Sequence, residues 1–187
     1  MLNILEVPKV RRQVAPISVA TYHILGEQGL VDPRTELLRG VIIEKMSKSP
    51  LHVTIVFKLA KMIAAVLRPG QFVRKEDPLT FADSEPEPDI AVVPGRPEDY
   101  HKQHPRTALL VVEVAVSTEE VDREKASVYA EAGVPEYWLI LPEAGTIEVL
   151  TQPEGTVYRQ KHIVRRNEIL LSTVLPELRV EVEKLLA

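Results

Sequence analysis

The chain has 187 residues, a formal net charge of −4, 45% hydrophobic and 27% charged residues, and no cysteine. That length supports one domain, 1–187, with a real core rather than two domains, and the composition is ordinary for a globular protein. Disulfides and thiolate metal sites are excluded, and a reducing compartment is expected.

No apolar run approaches the roughly 18–20 residues that a bilayer span needs. The N-terminal MLNILEVPKVRRQVAP lacks the charged, apolar and small-residue order of a signal peptide. A cytoplasmic location with no membrane partner is therefore expected. The negative balance counts against a dedicated nucleic-acid binder, because phosphate neutralisation dominates such affinity. It leaves a nuclease open, since acidic metal ligands lower the net charge. Arg11-Arg12, Arg74-Lys75 and Arg165-Arg166 are candidate basic patches, although such pairs are commonly solvated surface.

Residues 1–16 form a polar, proline-bounded lead-in, read as an N-terminal arm. Ser18 caps a short helix over 19–27 with Gly29 as its stop. His23 reads as a packing residue of that helix. Residues 36–38 and 41–46 read as a β-hairpin turning at Arg39-Gly40. Ile42, Glu44 and Met46 share one face of its second strand by the period of two. A lone Glu44 between apolar residues is either a metal ligand or an edge-strand charge.

Pro50 and Leu51 introduce a long helix to about Leu67, before Pro69-Gly70. Val53, Phe57, Ala60, Ala64 and Leu67 make one apolar stripe. Leu51, Ile55, Leu59, Met62 and Val66 make a second, nearly opposite. A helix apolar on two sides is buried, or covered on one side by a partner, and a homodimer using part of this surface is expected. His52, at the helix start, is either a packing residue or part of a site's rim.

A strand is expected over 72–81 with Pro78 at a bend or edge. The turn-rich 83–88 then delivers Asp89 to a β-branched run over 89–93. The following PGRPEDYHKQHPR is long, polar and unpatterned, so it is functional or mobile. Its His101 and His104 are three apart, but a proline-rich loop gives no reason to aim both at a metal.

The centre of the chain is ALLVVEVAVSTEEVDREKASVYAEAG, residues 108–133. Glu113 interrupts a run with the length and β-branched content of a strand buried on both faces. A carboxylate there has to be paired, protonated or metal-bound. Ser117-Thr118-Glu119-Glu120 has the spacing of a capping box, and Gly133 with Pro135 marks the helix end. At about 100° per residue, Val121, Lys125, Val128 and Ala132 share the stripe that should face the sheet. Lys125 is the anomaly on that stripe, aimed toward the strand of Glu113. An Asp opening one strand, a Glu inside the next and a nearby Lys are what metal-dependent phosphodiester hydrolysis needs. The ordinary alternative is structural: Asp89 caps a turn, and Lys125 neutralises Glu113 as a buried ion pair.

Beyond the central helix, 136–141 reads as a strand with Tyr137 and Trp138 as packing residues. Residues 145–150 and 157–163 form a hairpin or small meander, and 169–187 add a short strand and a terminal segment. There is no internal repeat, glycine-rich phosphate loop or G-x-S-x-G elbow.

Four pieces, ELLRGVIIEKMSKSPLH, EPDIAVV, VVEVAVST and DREKASVYAEAGVPEYWLI, together resemble the Uma-type branch of restriction-endonuclease-like proteins, in the PD-(D/E)XK nuclease superfamily. The resemblance runs over about residues 16–185. The superfamily usually places its lysine two residues after the glutamate, where this chain has Ala115; in the Uma-type branch the following helix supplies it, and Lys125 fills that position. The resemblance implies an α/β fold with a restriction-endonuclease-like core, a mixed central β-sheet flanked by helices, and a site at one end of the central strands.

It further implies Mg²⁺-dependent hydrolysis of nucleic acid, with DNA the expected substrate and Mn²⁺ as a substitute metal. Asp89 and Glu113 would bind the metal, with Glu44 ligating directly or through water. Lys125 would position or activate water, and Asp122, rotated toward the flank, would hold the lysine. Two other readings stay open: a nuclease fold retained as a silent binding or assembly module, and a metal-dependent hydrolase of another substrate.

Overall fold

Leu110–Val114 is apolar on either side of Glu113, and this strand, β5, lies inside the main sheet. The computed structural model describes residues 8–11 and 13–187. Before β5 come helix α1 (Pro8–Arg11), helix α2 (Val19–Glu27) and a hairpin of β1 (Thr35–Leu38) and β2 (Val41–Glu44). Helix α3 (Pro50–Ala64), β3 (Gln71–Arg74) and β4 (Ile90–Pro94) follow. After β5 come α4 (Glu119–Glu131), β6 (Glu136–Leu141), β7 (Thr146–Glu154), β8 (Val157–Arg165), β9 (Ile169–Leu171), β10 (Arg179–Glu181) and α5 (Val182–Leu185).

The main sheet has six strands in the order β3-β4-β5-β6-β7-β8. Only β5 and β6 run parallel; every other neighbouring pair is antiparallel. A parallel pair needs a crossover, and α4 provides it. The expected mixed sheet flanked by helices is thus the observed architecture.

Alternation along the strands separates two cores. Ile90, Val92, Leu110, Val112, Val114, Trp138 and Ile140 pack with α3 and the C-terminal segment. Ala91, Val93, Val111, Ala115, Tyr137 and Leu139 pack on the other face with Tyr129 of α4. By the same period of two, Glu113 belongs to the α4 face.

The hairpin forms its own two-stranded sheet. Arg39 and Gly40 both have positive φ, 52° and 72°, the signature of a tight two-residue turn. A Cβ on Gly40 would meet Pro16 Cβ at 2.5 Å, so glycine is required there. Arg39 ties the hairpin to the end of α4 through Glu131 and the Ser127 carbonyl.

Several boundaries differ from the sequence reading. Helix α3 stops at Ala64, not Leu67. The expected strand 72–81 is only Gln71–Arg74, because Glu76 takes a positive φ of 57° and the chain then turns through Pro78. The Ser117–Glu120 capping box does not form. Thr118 is the N-cap, and its hydroxyl donates to Asp122 rather than to the backbone. His23 is not simply a packing residue, since its Nε2 donates to buried Glu85 at 2.7 Å. Of the expected arm, Pro8–Arg11 is helical, while 1–7 and 12 lie outside the described residues, as does half of the Arg11-Arg12 pair. Arg74 is not a free basic patch: its side chain is mostly buried beside Asp77 and His104. No helix of the described residues is long and apolar enough to cross a membrane.

Candidate active site

Asp89 stands immediately before β4, and Glu113 lies one residue from the end of β5. Both are buried, and the two strands are adjacent. Their polar groups interlock: the Asp89 N–H donates to Glu113 Oε2 at 3.2 Å, and the Val114 N–H donates to Asp89 Oδ2 at 2.7 Å. These bonds fix both carboxylates at one end of the sheet.

Lys125 reaches the same point from α4. Its Nζ lies 3.2 Å from Glu113 Oε1, 3.5 Å from Asp122 Oδ1 and 2.9 Å from Glu36 Oε1. Tyr129, one turn further along α4, donates its hydroxyl to Glu113 Oε1 at 2.8 Å. From the first turn of α3, His52 Nε2 sits 2.9 Å from Asp89 Oδ1. The other His52 nitrogen, Nδ1, is buried without a partner among the described residues.

The structure therefore brings Asp89, Glu113 and Lys125 together. It also places Asp122 inside the cluster rather than on the flank. The helix presents Asp122, Lys125, Val128 and Tyr129 to the interior, and Val121 is 38% exposed.

Glu44, the expected fourth member, lines the same cavity. It pairs across the hairpin with Thr35 and is exposed at the cavity rim, whereas Glu36, paired with Ile43, is buried against Lys125. Glu36 Oε2 also accepts the Glu87 N–H at 3.1 Å. Glu36 was missed because the sequence reading began the strand at Glu36, leaving alternation no preceding residue to work from, whereas the strand begins at Thr35. The available signal was an acid followed directly by Leu37-Leu38.

Three buried carboxylates, Glu36, Glu113 and Asp122, thus surround one buried ammonium, and a fourth, Asp89, lies beside Glu113 and pairs with His52. Burial pushes the Glu113 carboxyl well above its ordinary value. Lys125 opposes that shift, while Asp122, Asp89 and Glu36 reinforce it. Burial likewise raises Asp122, against Lys125 and the Thr118 hydroxyl. For Lys125, burial alone would lower the affinity for its proton, but Glu113, Glu36 and Asp122 outweigh it and hold the ammonium above its usual range. Lys125 is a cation here, suited to donating hydrogen bonds and stabilising negative charge.

The cluster forms the inner wall of a cavity of about 390 Å³, whose mouth carries Arg34, Glu44, Lys45, Lys48 and Glu76. That volume falls in the range of small-ligand sites. Among the described residues, no three His, Asp or Glu side chains form a ligand set for a metal ion. Asp89 and Glu113 supply two hard carboxylates, and one or two carboxylates completed by water or substrate phosphate is the usual way Mg²⁺ is held. The donor chemistry therefore fits that ion.

The fold is shared with a solved structure described as a putative nuclease belonging to DUF820 from Anabaena variabilis ATCC 29413. The match has a TM-score of 0.72 at 21% identity and covers 91% of this chain and 98% of that one. No curated protein matches the chain. The family named Uma2, described as "Putative restriction endonuclease", matches residues 20–183. With the match running over most of its length, this chain belongs to the Uma2 family.

Proposed function

We propose that this protein is a divalent-metal-dependent endonuclease that hydrolyses nucleic-acid phosphodiester bonds, with DNA as its substrate. The observation that carries this reading is the surplus of acid: four buried carboxylates against one buried ammonium, on the wall of an open cavity. A purely structural ion pair needs one acid for one base, and each further buried charge costs several kcal/mol on the order of the usual desolvation penalty. A divalent cation offsets that surplus. Asp89 and Glu113 would hold Mg²⁺ or Mn²⁺, with exposed Glu44 suited to a contact through water.

When bound, the ion supplies charge stabilisation at the phosphoryl oxygens and an acidified water. Lys125 donates from its ammonium toward the phosphate or the attacking water, and its raised proton affinity makes it an electrostatic group rather than a base. Glu36 and Asp122 hold that ammonium in place from two sides. Tyr129 fixes the orientation of Glu113, and His52 does the same for Asp89. In the net reaction the water oxygen bonds to phosphorus and the P–O ester bond breaks. The water's proton ends on the released hydroxyl.

Cleavage of mixed single- and double-stranded DNA in Mg²⁺ and in Mn²⁺ tests the proposal. Wild type should cut, Asp89→Asn and Glu113→Gln should abolish cutting, and Lys125→Ala should slow it about 10²–10³-fold, as for loss of one transition-state donor. Cutting that survives in Asp89→Asn would remove the assignment. A silent binding module is the second reading. It is favoured by the internal satisfaction of the two acids, whose oxygens already meet His52, Val114, Lys125, Tyr129 and the Asp89 amide. Absence of both cleavage and divalent binding by calorimetry would select it.

Val53 and Phe57, one turn apart on α3, are 51% and 63% exposed. They support a second copy of the chain packing on this face. Sedimentation should show a dimer that Phe57→Asp converts to monomer.

A further inference from the structure

A second cavity, of about 670 Å³, lies between α2 and the loop that follows β4. It is absorbed by nothing in the catalytic proposal. Its walls carry Tyr22 and Tyr100, the histidines His101 and His104, and the cations Lys102 and Arg106. These four basic or titratable groups sit within six residues of one loop, which the sequence marks as long, polar and unpatterned.

The loop is built rather than slack. Gly95 takes a φ of 89°, and the Arg96 N–H donates to Asp99 Oδ2 at 2.8 Å to start a 3-10 turn over Pro97–Tyr100. Tyr100 is locked by a hydroxyl bond to the Pro94 carbonyl at 2.9 Å and by Phe72, at 5.8 Å between ring centroids. Across the cavity, α2 buries none of its residues. Polar anchors hold it instead: Tyr22 to Thr35 at 3.0 Å, and His23 to the buried Glu85 at 2.7 Å. Two of the three acids on the wall are already matched, Glu85 by His23 and Asp32 by Arg34. Lys102 and Arg106 have no carboxylate partner among the described residues.

The two cavities share a partition. Asp32 and Pro33 face the second cavity, while Arg34 and Glu36 face the first. Likewise Glu85 faces the second and Glu87 the first.

We propose that the second cavity is a subsite for the nucleic-acid strand flanking the scissile phosphate, Lys102 and Arg106 taking a phosphate and Tyr22 and Tyr100 flanking a base. Aromatic walls combined with cations are the general means of holding a single strand without reading its sequence. The subsite rests on the nuclease reading for its place next to the scissile bond, but its binding chemistry is separable from cleavage.

The test is fluorescence anisotropy with a labelled twelve-nucleotide single-stranded DNA, titrated across a salt series, on the full chain. Lys102→Ala with Arg106→Ala should raise Kd about tenfold and lower the salt slope by about 1.4, two contacts at roughly 0.7 each for a single strand. A charge-matched control, Arg159→Ala with Lys184→Ala, lines neither cavity and should leave Kd unchanged. Thermal melting of both pairs shows that they fold. Equal weakening by the two pairs, or none by the first, overturns the subsite even if the wild type cuts DNA. Weakening confined to the first pair supports the subsite even if no cutting is found, in which case the nuclease reading alone fails. No binding by wild type overturns it outright.

Discussion

Two glutamates lie buried on neighbouring parallel strands, and they are opposite in kind. Glu113 of β5 and Glu136 of β6 are three positions apart in register, because Leu110 faces Glu136 and Glu113 faces Leu139. Glu136 is fully buried on the α3 side and, among the described residues, meets only neutral donors. Trp138 Nε1 donates to Oε1 at 2.6 Å, and the Thr173 and Val174 amides reach Oε2 at 2.8 and 3.1 Å, joined by the Thr173 and Ser172 hydroxyls. It fastens the segment after β9 onto the sheet. Glu113 is on the α4 side, among three other carboxylates, and lines a cavity. Burial alone therefore does not mark a functional acid. What separates the two is whether neutral dipoles satisfy the carboxylate in a closed packing or whether it shares an open site with surplus charge.

The largest stability effect is expected at the anchor. Glu136→Ala strands an indole N–H and several donors in the core and should cost about 3–5 kcal/mol, read by denaturant unfolding. A cost below about 1 kcal/mol would break the contrast.

Glu148 provides an intermediate case. Arg123 grips it through both guanidinium branches at 2.7 Å, and Lys161 adds a third contact at 2.7 Å. Burial raises its carboxyl, but the Arg123 and Lys161 bonds outweigh that and leave it below the ordinary value. A lowered folded value stabilises above the unfolded one, near 4.5, and is lost as pH falls through the folded value. Glu148→Gln should therefore cost about 1–2 kcal/mol at neutral pH and progressively less in acid.

The smallest effect at neutral pH, and the opposite sign, are expected at Glu113. Its folded value lies above 4.5, so its contribution is fully present below that pH and is lost as pH rises through the raised value. Glu113→Gln leaves Lys125 two acids, Glu36 and Asp122, and should change stability by no more than about 1 kcal/mol while ending cleavage. Melting of the metal-free protein should show wild type losing ground to Glu113→Gln as pH rises above about 4.5, as expected for linkage to a raised carboxyl. A pH-independent difference would sink the account of Glu113, and Mg²⁺ should flatten the trend if it sits beside this carboxylate.

Sequence alone made the sheet-facing lysine visible, because a helix period and a strand period place Lys125 and Glu113 on facing surfaces. Asp89 was equally legible as the acid delivered to a β-branched run. The hairpin turn at Arg39-Gly40 followed from local backbone chemistry. The choice between Glu36 and Glu44 did not. Both are acids within one hairpin, and only the pairing of Glu36 with Ile43 and the docking of Arg39 on α4 decide which one is enclosed. Asp122 looked peripheral because helix phase was judged from apolar residues, whereas the helix settled with its polar side chains inward around Lys125.

Local periodicity thus determined the alternation of helices and strands and three of the residues at the cavity wall, while the mixed α/β architecture followed from the family resemblance. Tertiary structure decided the rest: the fourth carboxylate, the role of Glu136 and the second cavity beside the first. The physical reason is range. Alternation and capping act over a few residues, while Glu36 meets the Glu87 amide 51 residues away and Glu136 meets the Thr173 amide 37 residues away. Such pairings depend on register and packing, which no local pattern encodes.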